Sequence, residues 1–289
     1  MSQSLGPTNI LELVNSTVEL PTLPEAVVKL GHIIDDPGSS VESIAAELAK
    51  DPAIVGNMLR MANSAYYGLP VRVSSIRVAV SVLGFRMTKK LARKAAVFTV
   101  FGQRRDRVEQ FDPAAFWQHA VFTAIAARSL GVLSTQFADT HPEDLYIAGL
   151  LHDIGKLVML EQAPDRYLAC LQRAAQFGVP EIEVELEEFG FTHTDVGSVL
   201  AIQWSLPEDL AIAIRYHHSP SRDPFHRSLS SLMHLANHLA WTVGKPSTVG
   251  TVAGGFESEV YEHIGLSQAQ VDGVLPGIVE DEGVSELPW

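Results

Sequence analysis

Apolar residues recur at spacings of three and four along almost the whole chain, and no convincing series of alternating strands interrupts them. That period restricts the polypeptide to helices packed on helices, an all-α fold. Breaks fall at Pro, Gly and Asx-Pro steps: Asp36-Pro37-Gly38, Asp51-Pro52, Gly68-Leu69-Pro70, Asp112-Pro113, His141-Pro142 and Ser219-Pro220. They predict an N-terminal helical subdomain over residues 1–108 and a second helical subdomain over 109–245. Residues 246–289 are expected to hold a loop at Gly254-Gly255, a short helix capped by Ser267 with Gln270, and a frayed acidic tail.

In the first half, Leu20-Pro21-Thr22-Leu23-Pro24 leads into a helix whose buried stripe is Ala26, Val27, Leu30, Ile33 and Ile34. Val41 to Leu48 reads as a short helix with Ser39 or Ser40 as its cap. Pro52 suits the first turn of the next one, which turns Ile54, Val55, Met58, Leu59 and Ala62 inward. Asn63-Ser64 at its end are expected to bond loop backbone.

Charge and composition narrow the function classes. With 34 acidic against 21 basic residues the formal charge is -13, a field that repels phosphate backbones and argues against general nucleic-acid binding. The start, MSQSLGPTN, carries no signal-peptide pattern, and no apolar run reaches the roughly 18 residues of a membrane span. The single cysteine, Cys170, cannot close an intrachain disulfide and is expected to be a small buried hydrophobe in a reducing cytoplasm. No G-x-x-x-x-G-K-[ST] loop, G-x-S-x-G elbow or paired cysteines occur, which argues against P-loop, serine-hydrolase and zinc-finger chemistry.

Histidine placement carries the chemistry. His119 shares a helical face with Phe116, Ala120, Thr123 and Ala127, and His152 follows Leu145, Ala148 and Gly149. His193 lies with Val196, Gly197, Leu200 and Trp204, and His217 with Leu210, Ala213 and Ile214; His218 flanks it. One such histidine is ordinarily a satisfied core residue. Four scattered through an apolar core would each need a partner, so a shared polar centre beside Asp153 is expected. Neutral imidazole with carboxylate suits one transition metal, Fe, Zn, Mn or Ni.

The segments DPAIVGNMLRMANSAYYG (51–68), SSIRVAVSVLGFRMTKKL (74–91), FWQHAVFTAIAARSL (116–130), YIAGLLHDIGKLVML (146–160), THTDVGSVLAIQWSLP (192–207) and IRYHHSP (214–220) together resemble the HDOD family. The similarity spans roughly residues 20–240. It implies an N-terminal helical subdomain packed on an HD-like helical bundle, in a bacterial signal-transduction module of the kind that serves as a response-regulator output. Kinship with HD phosphohydrolases implies metal-ligand positions at His119, His152 and Asp153, and further ones at His193, His217 and His218. Lys156 in HDIGK would then face a phosphate, the alternative being a helix-end lysine in solvent.

Departures from that pattern weaken hydrolysis. Asn237 stands where an HD enzyme supplies an aspartate, and Ala115 lies one turn before His119, the place from which a binuclear or trinuclear site recruits a Glu. Ser-Pro follows His217-His218 in place of an acidic segment. The implied function is a regulatory module, not an enzyme, that binds signalling proteins or a small ligand such as a nucleotide. The alternative is a metal-dependent phosphohydrolase acting on a nucleotide or cyclic dinucleotide, with Lys156 and Asn237 touching the ligand. A basic stripe, Arg86, Lys89, Lys90, Arg93 and Lys94, is either a solvated face or a docking surface for an acidic partner, a nucleotide or nucleic acid.

Overall fold

Short polar side chains set several of the helix starts. Ser40 begins one by accepting from the Ser43 amide while Ser43 returns the bond, and Thr192 with Asp195 and Ser267 with Gln270 repeat this reciprocal cap. At another start the Asp51 carboxylate accepts from the Ile54 amide at 3.0 Å ahead of Pro52. The computed structural model describes residues 9–16, 38–64, 67–85, 87–88, 111–247 and 252–280. Among them no strand occurs. The predicted helix after Leu20–Pro24 and the acidic residues beyond Glu280 lie outside the described residues.

The helices are α1 (Ile10–Ser16), α2 (Val41–Leu48), α3 (Pro52–Ala62), α4 (76–85), α5 (Pro113–Leu133), α6 (Pro142–Leu151) and α7 (Ile154–Gln162). Then follow α8 (Pro164–Phe177), α9 (Glu181–Phe189), α10 (His193–Gln203), α11 (Glu208–Tyr216), α12 (Arg227–Thr242), α13 (Val260–Ile264) and α14 (Gln268–Val279). Helix α5 runs through the middle against α6, α12 and α14, while α10 packs on α7 and α11. Its all-round apolar surface, with Ala120, Val121, Phe122, Ala124, Ile125 and Ala126 all buried, suits that central place.

The inward stripe expected of α3 is present: Ile54, Val55, Met58, Leu59 and Ala62 are buried. Asn63 does bond loop backbone, donating to Val73 O at 2.9 Å and accepting from Val73 N at 2.7 Å. This two-point bridge closes the turn through Gly68-Leu69-Pro70. Helix α1 packs across α7 and α10, so residues before the first histidine touch the helices that carry the later ones. Cys170 is free and buried on α8, and burial pushes its thiol up to about 12, where it is chemically quiet.

Close backbone approach decides how α7 and α10 meet. A Cβ built on Gly155 would lie 1.9 Å from the His193 carbonyl oxygen and 2.7 Å from the Gly197 amide. Only a residue without a side chain lets the two helices cross there. Gly149 plays the same part between α6 and α5, where a Cβ would lie 2.7 Å from the Ala124 Cα. These crossings bring the HDIGK turn within reach of His193 and the central helix.

Candidate metal centre

The six residues proposed as ligands from the sequence come together. His119 projects from within α5, His152 and Asp153 form the turn between α6 and α7, and His193 is the first residue of α10. His217 closes α11 and His218 follows it. The histidines are thus placed mainly by helix ends rather than by mid-helix stripes, His119 excepted. His119, His152, His193 and His217 are fully buried, and Asp153 is nearly so.

Ring orientation is fixed by the outer nitrogen of each imidazole. His119 Nδ1 lies 2.7 Å from Lys245 O, His152 Nδ1 2.6 Å from Gly149 O, and His217 Nδ1 2.8 Å from Ile214 O. A carbonyl only accepts, so each Nδ1 carries the proton and each Nε2 presents a lone pair inward. His193 Nδ1 faces a carboxylate instead, Glu185 Oε2 at 2.7 Å. That carboxylate also accepts from the His193 backbone amide at 2.8 Å.

The inward nitrogens surround Asp153 in two sets. On one side, His119 Nε2 and His152 Nε2 are 3.1 Å apart and lie 3.6 and 3.5 Å from Asp153 Oδ2. On the other, His193 Nε2 and His217 Nε2 lie 3.2 and 3.5 Å from Asp153 Oδ1, and His218 completes a four-residue group. The Nε2 atoms of His193, His217 and His218 are buried without a hydrogen-bond partner. Orphaned lone pairs converging on a carboxylate are costly unless a cation sits among them, so the donor set fits a transition metal.

Electrostatics agree with that geometry. Burial pushes the His119 imidazole down to about 4 and holds His152, His217 and His218 below the usual range, keeping them neutral as metal ligands must be. His193 differs: burial opposes its charge, but Glu185 outweighs burial and raises it to about 9. Burial acts to raise Asp153, yet His152 and Lys156 beside it hold the carboxyl well below its ordinary value.

Lys156 is a correction. The sequence offered it as a phosphate-facing cation or a solvated helix-end lysine, and the solvated alternative fails because the side chain is buried. Lys156 is 1% exposed, and its ammonium lies 2.8 Å from Asp153 Oδ2, ion-paired with Glu181, and 2.6 Å from Ser247 Oγ. The signal overlooked was in α9, where Glu181 and Glu185 fall on the same inward stripe as Val184 and Phe189. Carboxylates at buried positions demand cationic or N–H partners, and Lys156 and His193 supply them.

Asn237 is buried on α12 with Oδ1 unpaired, beside a cavity of about 10 Å³ also lined by His218, His238, Trp241 and Gly254. That is about the space of one water. A larger groove of about 550 Å³ lies outside, bounded by Ile182, Leu186, Thr192, Arg215, Tyr216 and Arg222, and of the six centre residues it reaches only His218. The basic residues Arg86, Lys89, Lys90, Arg93 and Lys94 lie outside the described residues. Among the described residues no helix is long and apolar enough to cross a membrane.

Comparison with known proteins gives a consistent outcome. The HDOD domain family matches residues 20–220. An uncharacterized protein of Treponema pallidum is 27% identical over 220 residues, which is 76% of this chain and 42% of that relative, so the chain spans well under half of its length. The crystal structure of the MmoQ response regulator from Methylococcus capsulatus aligns with a TM-score of 0.72 at 24% identity, covering 89% of this chain and 98% of that one. A Shewanella amazonensis protein described as a phosphohydrolase aligns with a TM-score of 0.53 at 23% identity, covering 97% and 96%. These likenesses establish the HD-like all-helical fold.

Proposed function

This chain belongs to the HDOD family, and on that premise we propose that it is a non-catalytic signalling module whose histidine–aspartate centre holds one transition metal. The observation that carries the reading is Lys156. In a hydrolase of this design a lysine beside the metal-binding aspartate would meet substrate phosphate, but here Asp153, Glu181 and Ser247 enclose it. An ammonium so engaged has no free face for an incoming anion. Next to Asn237 the space beside the centre is about that of one water. Asn237 further replaces an anionic ligand by a neutral carbonyl, leaving less charge to hold a second ion.

When bound, the metal would supply Lewis acidity and a rigid cross-link among distant segments. His119, His152, His193, His217, His218 and Asp153 are the residues that would hold it. With Lys156 enclosed by Asp153, Glu181 and Ser247, the role proposed for the ion is the cross-linking one. The module then acts through its surface on signalling partners, with the 86–94 basic stripe as the proposed docking face.

A second reading has one observation in its favour. The groove of about 550 Å³ beside His218 is of a size that takes a nucleotide, and Arg215 and Arg222 line it. The neighbouring Asp195, 3.6 Å from Arg215, offsets part of that charge. The experiment is a turnover assay on protein purified without chelator or nickel resin, with added Mn or Fe and a cyclic dinucleotide. No turnover is expected. Metal-dependent hydrolysis lost in Asp153→Ala would falsify the non-catalytic reading.

A further inference from the structure

Two sets of ligand atoms share Asp153, and they are not equivalent. His119 and His152 turn their Nε2 atoms on each other at 3.1 Å, within hydrogen-bond distance. The opposite side is different. There three Nε2 atoms, from His193, His217 and His218, are buried without hydrogen bonds, and Asp153 Oδ1 faces two of them at 3.2 and 3.5 Å. One proton placed between His193 and Asp153 would still leave His217 and His218 orphaned. Only a multivalent acceptor of lone pairs meets all of them at once.

The two oxygens of Asp153 also differ. Oδ2, on the His119–His152 side, is 2.8 Å from the Lys156 ammonium, whose charge repels a cation bound there. Among the described residues no lysine is ion-paired with Oδ1. Behind the four-residue side stands Glu185, fully buried, with one carboxylate gripping both the ring Nδ1 and the backbone amide of His193. A carboxylate behind a metal-facing imidazole fixes its tautomer and raises its basicity, and removing such a partner typically costs ~10- to 100-fold in metal affinity.

We infer that the first metal ion binds to His193, His217, His218 and Asp153 Oδ1, and not to the His119–His152–Asp153 triad at which an HD protein would ordinarily be expected to bind, with Glu185 as its positioning residue. The inference builds on the proposed one-metal centre and specifies its address. Four ligands against three and an orienting carboxylate act in the same direction.

The test is titration of cobalt(II) into chelator-stripped full-length protein under argon, read by visible absorption. One equivalent should bind tightly. His218→Gln and Glu185→Gln should each weaken that step by about 10-fold or more, whereas His119→Gln should weaken it no more than about threefold, because His119 lies outside this set. Circular dichroism of the stripped variants checks that each is folded. Should a variant fail to fold, the wild-type chain loaded with one copper(II) still decides the matter, since pulsed electron paramagnetic resonance counts coordinated imidazoles: three supports the inference and two overturns it. Loss of the tight step in His119→Gln, or no cobalt binding at all, also overturns it. Hydrolytic activity with the ion among three imidazoles would defeat the regulatory reading and leave the address standing; the converse result separates them the other way.

Discussion

Lys156 and Asp153, three residues apart across the start of one helix, form an ion pair at 2.8 Å with both side chains about 2% exposed. Glu181 takes the same ammonium from the opposite side; burial works against the charge, but the two carboxylates outweigh it and hold the lysine's proton more tightly than usual. A net excess of one negative charge over the cluster is balanced only when the neighbouring imidazoles or an ion contribute.

Truncating that lysine should therefore be severe. Lys156→Ala strands two buried carboxylates, and breaking one partner of a buried pair costs ~3–5 kcal/mol. Urea unfolding of the stripped protein measures it. A loss under about 0.5 kcal/mol would instead match an exposed lysine.

Close approach of α7 to α10 makes a second expectation. Gly155→Ala places a methyl 1.9 Å from the His193 carbonyl, which is backbone and cannot swing aside. Overpacking of this kind costs ~1–3 kcal/mol or more, and it displaces His193 from Asp153, so metal affinity should fall with stability. Gly273→Ala, on α14 with nothing within 4 Å of the added carbon, should stabilise by ~0.5–1 kcal/mol. Paired denaturation curves check both signs.

Stability of the stripped protein should depend on pH in opposite senses on the two sides of neutrality. Burial sets His119 at about 4 and lowers His152, His217 and His218, against an ordinary value of 6.5 in the unfolded chain. The unfolded chain then binds protons that the folded one refuses, so stability falls as pH drops from about 6.5 through 4. His193, raised to about 9 by Glu185 against the effect of burial, works the other way. Its contribution is full below 6.5 and is lost as pH climbs through 9. Urea midpoints across this range should peak near neutral pH; a midpoint that keeps rising below pH 5 would contradict the buried neutral imidazoles.

Metal removal gives a fourth. An ion that binds only the folded chain adds ~2.7 kcal/mol when free metal stands at 100 times Kd. Scanning calorimetry should show Tm rising with zinc or cobalt concentration and returning on chelation. A concentration-independent Tm would mean that no ion bridges these helices.

The sequence by itself determined the helical class, the helix starts at Pro52 and Ser267, and the identity of the histidines that meet Asp153, because spacing and capping chemistry are local properties of the chain. Only the tertiary structure decided what stands behind those ligands. Glu185 is eight residues from His193 in sequence but in direct contact with it, and Ser247 is 91 residues from Lys156. Whether a buried charge meets solvent, substrate or a partner depends on which helices cross and how closely. Here that was settled by glycines at the crossings, which bring two backbones together so that carboxylates on α9 reach groups the periodicity alone left unpaired.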